Sequence, residues 1–140
     1  MVKKKVKSVV SVVVVFAVLL CSAAAASSEI QPRWTYVSGV TGHLEISSSG
    51  FATLYGGGNA VHPDVDNVKV IVELQQFKNS KWQTVKTWTA VGEGWSTRTS
   101  TKTWPVYHGY SYRLYVTLEA YSGSTFLESG THIENYGFFQ

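Results

Sequence analysis

Cysteine is almost missing from this sequence. Cys21 is the single example, and it lies inside an N-terminal apolar run. Cleavage after Ala26 would remove it, leaving no disulfide framework, so packing alone must hold the domain. Basic excess is missing too, once that N-terminal segment is set aside. The chain has 12 Lys and Arg against 9 Asp and Glu, a formal charge of +3. Four of the 12 (Lys3, Lys4, Lys5, Lys7) precede the apolar run, which leaves eight against nine, a net of −1. That excludes a basic footprint for nucleic acid and a polybasic patch for anionic membrane. There is no helical period beyond the first 26 residues, no internal repeat and no C-terminal apolar tail. No GxSxG nucleophile elbow occurs, and no cysteine or paired-histidine spacing suits zinc. His43, His62, His108 and His132 are scattered through the chain. The expectation is a protein that is not an enzyme and carries no cofactor.

What is present begins with a targeting segment. Four lysines, an apolar stretch over residues 8–20 and small residues up to Ala26 follow the pattern of a secretory signal peptide. The stretch is shorter than the roughly 20 residues that span a bilayer. Residues 1–26 are therefore expected to be a signal helix that is cleaved, and residues 27–140 a single secreted, extracellular domain. Lipid attachment at Cys21 is the lesser alternative, because Leu20 stands where that motif takes a small residue. About 114 residues remain after cleavage, one domain's length.

The domain reads as β structure throughout. Residues 106–120 alternate strictly: Tyr112, Leu114, Val116, Leu118 and Ala120 on one face, Arg113, Tyr115, Thr117 and Glu119 on the other. Residues 68–77 alternate in the same way, with Val68, Val70, Val72 and Leu74 on one face. Residues 33–37, 40–46 and 51–55 read as three further strands, the last ended by the glycine run Gly56–Gly58. Residues 82–90 need a β-bulge if Val85 and Trp88 are both to point inward. Residues 95–104 are polar on both faces and read as an exposed edge ribbon. Residues 125–133 close the set. Seven or eight short strands favour an all-β, two-sheet antiparallel β-sandwich, with a small barrel as the other solution.

The stretch from His108 to Val116 resembles the F-strand signature of fibronectin type III domains: a turn glycine, Gly109, then Tyr112, then alternating apolar residues. The resemblance implies an immunoglobulin-like sandwich in which Tyr112 is the corner tyrosine, its phenol bonded back to the preceding turn. His108 stands where that family has proline. The layout is also similar to small secreted bacterial proteins of one β-sandwich domain and unknown function. Neither resemblance implies catalytic residues.

Candidate binding residues are aromatic. Trp82, Trp88, Trp95, Trp104, Tyr115 and Tyr121 lie near strand ends or on outward parity, where rigid rings with polar tips suit recognition. Their expected partner is an extracellular protein or a glycan. A carbohydrate-binding module acting through the tryptophans is the alternative function, and a small secreted hydrolase a further one. Glu73 and Glu119 are the carboxylates such an enzyme would need close together, though solvated surface glutamates describe them more simply. Asp64, Asp66 and Asn67 form the one oxygen-rich loop, a weak calcium candidate without EF-hand spacing.

Overall fold

A computed structural model describes residues 33–140. The expected signal segment, with Cys21, lies outside the described residues. Eight strands form two antiparallel sheets. One sheet holds β1 (Val37–Ile46), β2 (Phe51–Ala60), β5 (Ser96–Arg98) and β6 (Lys102–Pro105), with β5 and β6 both paired to β2. The other runs in the order β4 (Lys81–Glu93), β3 (Asn67–Lys78), β7 (Tyr110–Ser122), β8 (Thr125–Phe139).

The core follows from alternation. In the four-stranded β4-β3-β7-β8 sheet, β3 and β7 pair in register: Val68 with Ala120, Val70 with Leu118, Val72 with Val116, Leu74 with Leu114. All eight side chains are fully buried. β3 and β7 are the two inner strands, so their backbone polar groups meet a neighbouring ladder whichever side they point to. The facing sheet supplies Val40, Leu44, Ile46, Ala52 and Leu54.

Glycine lets the two layers approach. β2 does not end at the glycine run as its composition suggested; it continues to Ala60. A Cβ on Gly56 would lie 2.6 Å from a Val72 methyl and 2.9 Å from both Val116 methyls. One on Gly42 in β1 would lie 2.7 Å from Leu114. These strand glycines face the bulkiest part of the opposite sheet, so their lack of a side chain is a packing device.

Other departures from the sequence reading have local causes. Residues 33–36 are not strand, because the amides of Thr35, Tyr36 and Val37 turn to the Glu128 carboxylate at 3.0, 2.7 and 2.9 Å. The bulge in β4 falls at Val85: Leu74 faces Lys86 while Gln75 faces Thr84. It does not bury Val85, which is 38% exposed. The ribbon 95–104 breaks into β5 and β6 at Thr99, which is only 3% exposed. Its backbone N–H donates to Gly56 O at 2.9 Å, and its hydroxyl accepts from Gly56 N at 3.1 Å. The last strand runs on to Phe139, with bulges at Leu127 and Tyr136 that absorb the extra length.

The turn before β7 is locked by Tyr112. Its phenol accepts from the Tyr107 amide at 3.0 Å, donates to the Tyr107 carbonyl at 3.0 Å and accepts from Gln76 Nε2 at 2.8 Å. The ring is 1% exposed, so the hydroxyl is a polar group saturated inside the core.

Candidate functional site

The outer face of the β4-β3-β7-β8 sheet carries the densest set of exposed aromatic and aliphatic side chains. Register places them in rows. Trp82, Phe77, Ser111 and Phe138 form one row across the four strands. Thr84, Gln75, Arg113 and Asn135 form the next, and Thr87, Glu73, Tyr115 and Ile133 the third. Phe77, Ile133 and Phe138 are 42%, 44% and 59% exposed. An apolar side chain on a solvated strand face forgoes about 25 cal/mol for each Å² left wet, so a cluster of them is the informative feature of this surface.

Arg113 organises the cluster. Its guanidinium carbon lies 4.3 Å from the Trp82 ring centroid and 5.8 Å from that of Tyr115. Its Nε donates to Gln75 Oε1 at 2.8 Å. Phe77 meets Trp82 edge to face at 5.3 Å. The cation therefore fixes Trp82 with one indole face covered. The result is a rigid patch of rings and one guanidinium, held by neighbours on three strands.

The opposite end of the same face is charged. Lys69 Nζ lies 3.2 Å from Glu119 Oε2, and the Tyr121 hydroxyl donates to that same oxygen at 2.6 Å. The Tyr121 pKa is raised above 10.0, first by that hydrogen bond, then by burial and by the Glu119 charge. Tyr121 also meets Phe126 edge to face at 5.8 Å.

The six aromatic candidates are thus divided. Trp82 and Tyr115 share the Arg113 patch, and Tyr121 belongs to the far end of that face. Trp88 and Trp104 are partly buried against the core and meet each other edge to face at 6.1 Å, with Lys86 Nζ 4.7 Å from the Trp104 ring. Trp95 is 54% exposed in the loop after β4, its indole N–H donating to Val65 O at 2.9 Å. Sequence reasoning missed Phe77, Ile133 and Phe138 as members of the patch. Parity on β3 marked Phe77; Ile133 and Phe138 needed the β8 register, which a bulge at Tyr136 shifts.

The remaining candidates are structural in placement. Asp66 accepts from the Gly123 amide at 2.9 and 2.8 Å, and Asn67 Nδ2 donates to Gly123 O at 2.9 Å, tying the 60–67 loop to the β7–β8 turn. Asp64 lies apart from them, beside His62 at 3.4 Å. Among the described residues no group of three or more His, Cys, Asp or Glu could hold a metal ion. Glu73 accepts from the Thr84 hydroxyl at 2.7 Å, while Glu119 is taken by Lys69 and Tyr121. The two carboxylates are engaged separately. His43 meets Tyr55 at a tilt, His62 meets Tyr36 edge to face, and His108 stacks on Phe139.

No family model matches the chain, and no curated protein matches it in sequence. Among solved structures, a β-glucuronidase from Parabacteroides merdae is similar at 15% identity with a TM-score of 0.42. The alignment covers 76% of this chain and 13% of that protein, so the chain spans a small part of its length.

Proposed function

We propose that the protein is a secreted, non-catalytic binding module that engages an extracellular protein through the Arg113 patch. The observation that carries the reading is the composition of that patch. Trp, Tyr, Phe and Arg are enriched where proteins recognise one another, and here they meet on one sheet face beside the exposed Ile133. Secretion rests on the signal-like residues 1–26. A fibronectin-III-like or immunoglobulin-like assignment is supported by the order β1-β2-β5/β6 against β4-β3-β7-β8 and by the Tyr112 corner. The tryptophan-based carbohydrate reading has less support. Trp82 has a face covered by Arg113, and Trp88 and Trp104 are packed against the core.

The test is site-specific photo-crosslinking in the native extracellular milieu. A photoreactive residue at Ile133 is expected to give a discrete protein adduct that the same probe at Thr103 does not. Phe138→Ser is expected to abolish that adduct without lowering the melting temperature. Equal labelling from both positions would refute the proposal. Mass spectrometry of the mature N-terminus tests secretion, with Ser27 the expected first residue.

A further inference from the structure

The opposite sheet has its own surface feature, independent of the Arg113 patch. On the outer face of β2, the central strand there, Gly57 leaves a shallow depression of about 310 Å³. Its rim is polar: Thr41 from β1, Asn59 from β2, and Ser96, Arg98 and the backbone of Thr97 from β5. Register puts Arg98 directly opposite Gly57, and Ser96 opposite Asn59. A Cβ on Gly57 would lie 3.0 Å from Arg98 Cβ and Cγ and from the Thr97 carbonyl oxygen, so the missing side chain makes room for the Arg98 stem across the strand.

Arg98 is held without being neutralised. Its guanidinium carbon lies 4.6 Å from the centroid of the Tyr55 ring. Among the described residues it has no carboxylate within salt-bridge reach and no side-chain hydrogen bond. Stacking on a ring orients the planar fork yet leaves its five N–H donors open. The hydroxyls of Thr41 and Ser96 likewise have no partner among the described residues, whereas the Thr97 side chain lies on the inner side of the sheet, beside Gly92. Asn59 is engaged through one edge only: its Nδ2 donates to Ser38 Oγ at 2.6 Å and its carboxamide oxygen stays free.

We propose that this depression binds an anionic saccharide, with the acid group on the Arg98 fork and ring hydroxyls on Asn59, Ser96 and Thr41. Four features select that class. The volume is at the lower end of small-molecule sites and suits one sugar ring. No apolar side chain lines it, which disfavours a peptide, whose side chains need apolar surface. The open shape lets a chain continue on either side. The guanidinium selects a carboxylate or sulfate by paired N–H···O bonds. This site does not depend on the protein-binding proposal.

The experiment uses the mature chain titrated by amide NMR with a galacturonate oligomer, a sulfated oligosaccharide of equal length and a neutral glucose oligomer. The expected result is that one or both acidic oligomers shift the amides of Gly57, Asn59 and Arg98, and the neutral oligomer does not. Whichever acidic oligomer binds identifies carboxylate or sulfate as the recognised group. Arg98→Gln is expected to weaken binding at least tenfold. Arg98→Lys, which keeps the charge and loses the fork, should recover only a small part. Trp82→Ala should bind as the wild type does. Thermal melts check that both Arg98 variants fold. No shift with either acidic oligomer, equal shifts with the neutral one, or unchanged affinity in Arg98→Gln would overturn the proposal. Should Arg98→Gln not fold, Thr41→Val with Ser96→Ala tests the hydroxyl contacts, and unchanged affinity in that pair has the same consequence.

Discussion

Gly56→Ala measures how tightly the two sheets are fitted. Gly56 lies inside β2 and is not among the glycines with positive φ, so its backbone would accept alanine. Space is what forbids it. The new Cβ would lie 2.6 Å from Val72 Cγ2 and 2.9 Å from both γ-carbons of Val116. Both valines are fully buried on the two inner strands of the facing sheet. Neither can rotate away without displacing its neighbours. Overpacking of this kind costs about 1–3 kcal/mol. Replacing a strand glycine by alanine returns roughly 0.5–1 kcal/mol through the unfolded chain. The net expectation is a loss of about 1–2 kcal/mol. For a domain of this size that lowers Tm by roughly 5–15 °C. Urea unfolding followed by tryptophan fluorescence reads the change as a lower midpoint at unchanged slope. Val72→Ala removes the closest methyl and leaves a cavity of its own. The double variant should therefore lose less than the sum of the singles, by about 0.5 kcal/mol or more. A Gly56→Ala protein within about 0.5 kcal/mol of wild type, or strict additivity with Val72→Ala, would refute the packing argument.

Three other perturbations have clear expected outcomes. Tyr112→Phe strands the Tyr107 amide and Gln76 Nε2, and should cost about 1–3 kcal/mol, with faster hydrogen exchange at Tyr107. Equal exchange in the two proteins would contradict the corner role. At Glu128, burial pushes the carboxyl pKa up, but the three N–H bonds from Thr35, Val37 and Tyr36 outweigh it and hold the pKa below 4.5. A depressed carboxylate contributes stability above its unfolded pKa, lost as pH falls through the folded value. Glu128→Gln should therefore lower stability at pH 7 and flatten its decline below pH 4.5; parallel pH profiles would count against it. For Tyr121 the raised pKa means its contribution is present below pH 10 and is lost as pH climbs through the higher folded value. Tyr121→Phe should delete a phenol that titrates above 10.0 from an ultraviolet titration, and Glu119→Gln should move that phenol earlier.

Much of the fold was legible because strand parity is local. Val68 to Leu74 and Tyr112 to Ala120 each declare an apolar face through alternate residues, and those faces became the sandwich core. Gly109 and Tyr112 marked the corner before β7 for the same reason: turn glycine and tyrosine sit close in sequence and bond across five residues. The candidate surface was only half legible. Parity exposed Tyr115 and Tyr121 on β7. It could not show that Trp88 and Trp104 face each other across different strands, or that Phe138 joins the row of Trp82.

Composition and alternation by themselves determined a β domain with no cysteine among residues 33–140, its strand faces and its corner tyrosine, because each depends on residues within a few positions. Tertiary structure alone decided the rest. The Gly56 run stays strand because Val72 and Val116 lie opposite it. Residues 33–36 leave the sheet because a carboxylate at residue 128 draws the amides of residues 35–37. Arg113 fixes Trp82, and Arg98 stands open over Tyr55, because register set those strands side by side. A contact between residues far apart in the chain is set by how strands pair and bulge, and no local pattern carries that information.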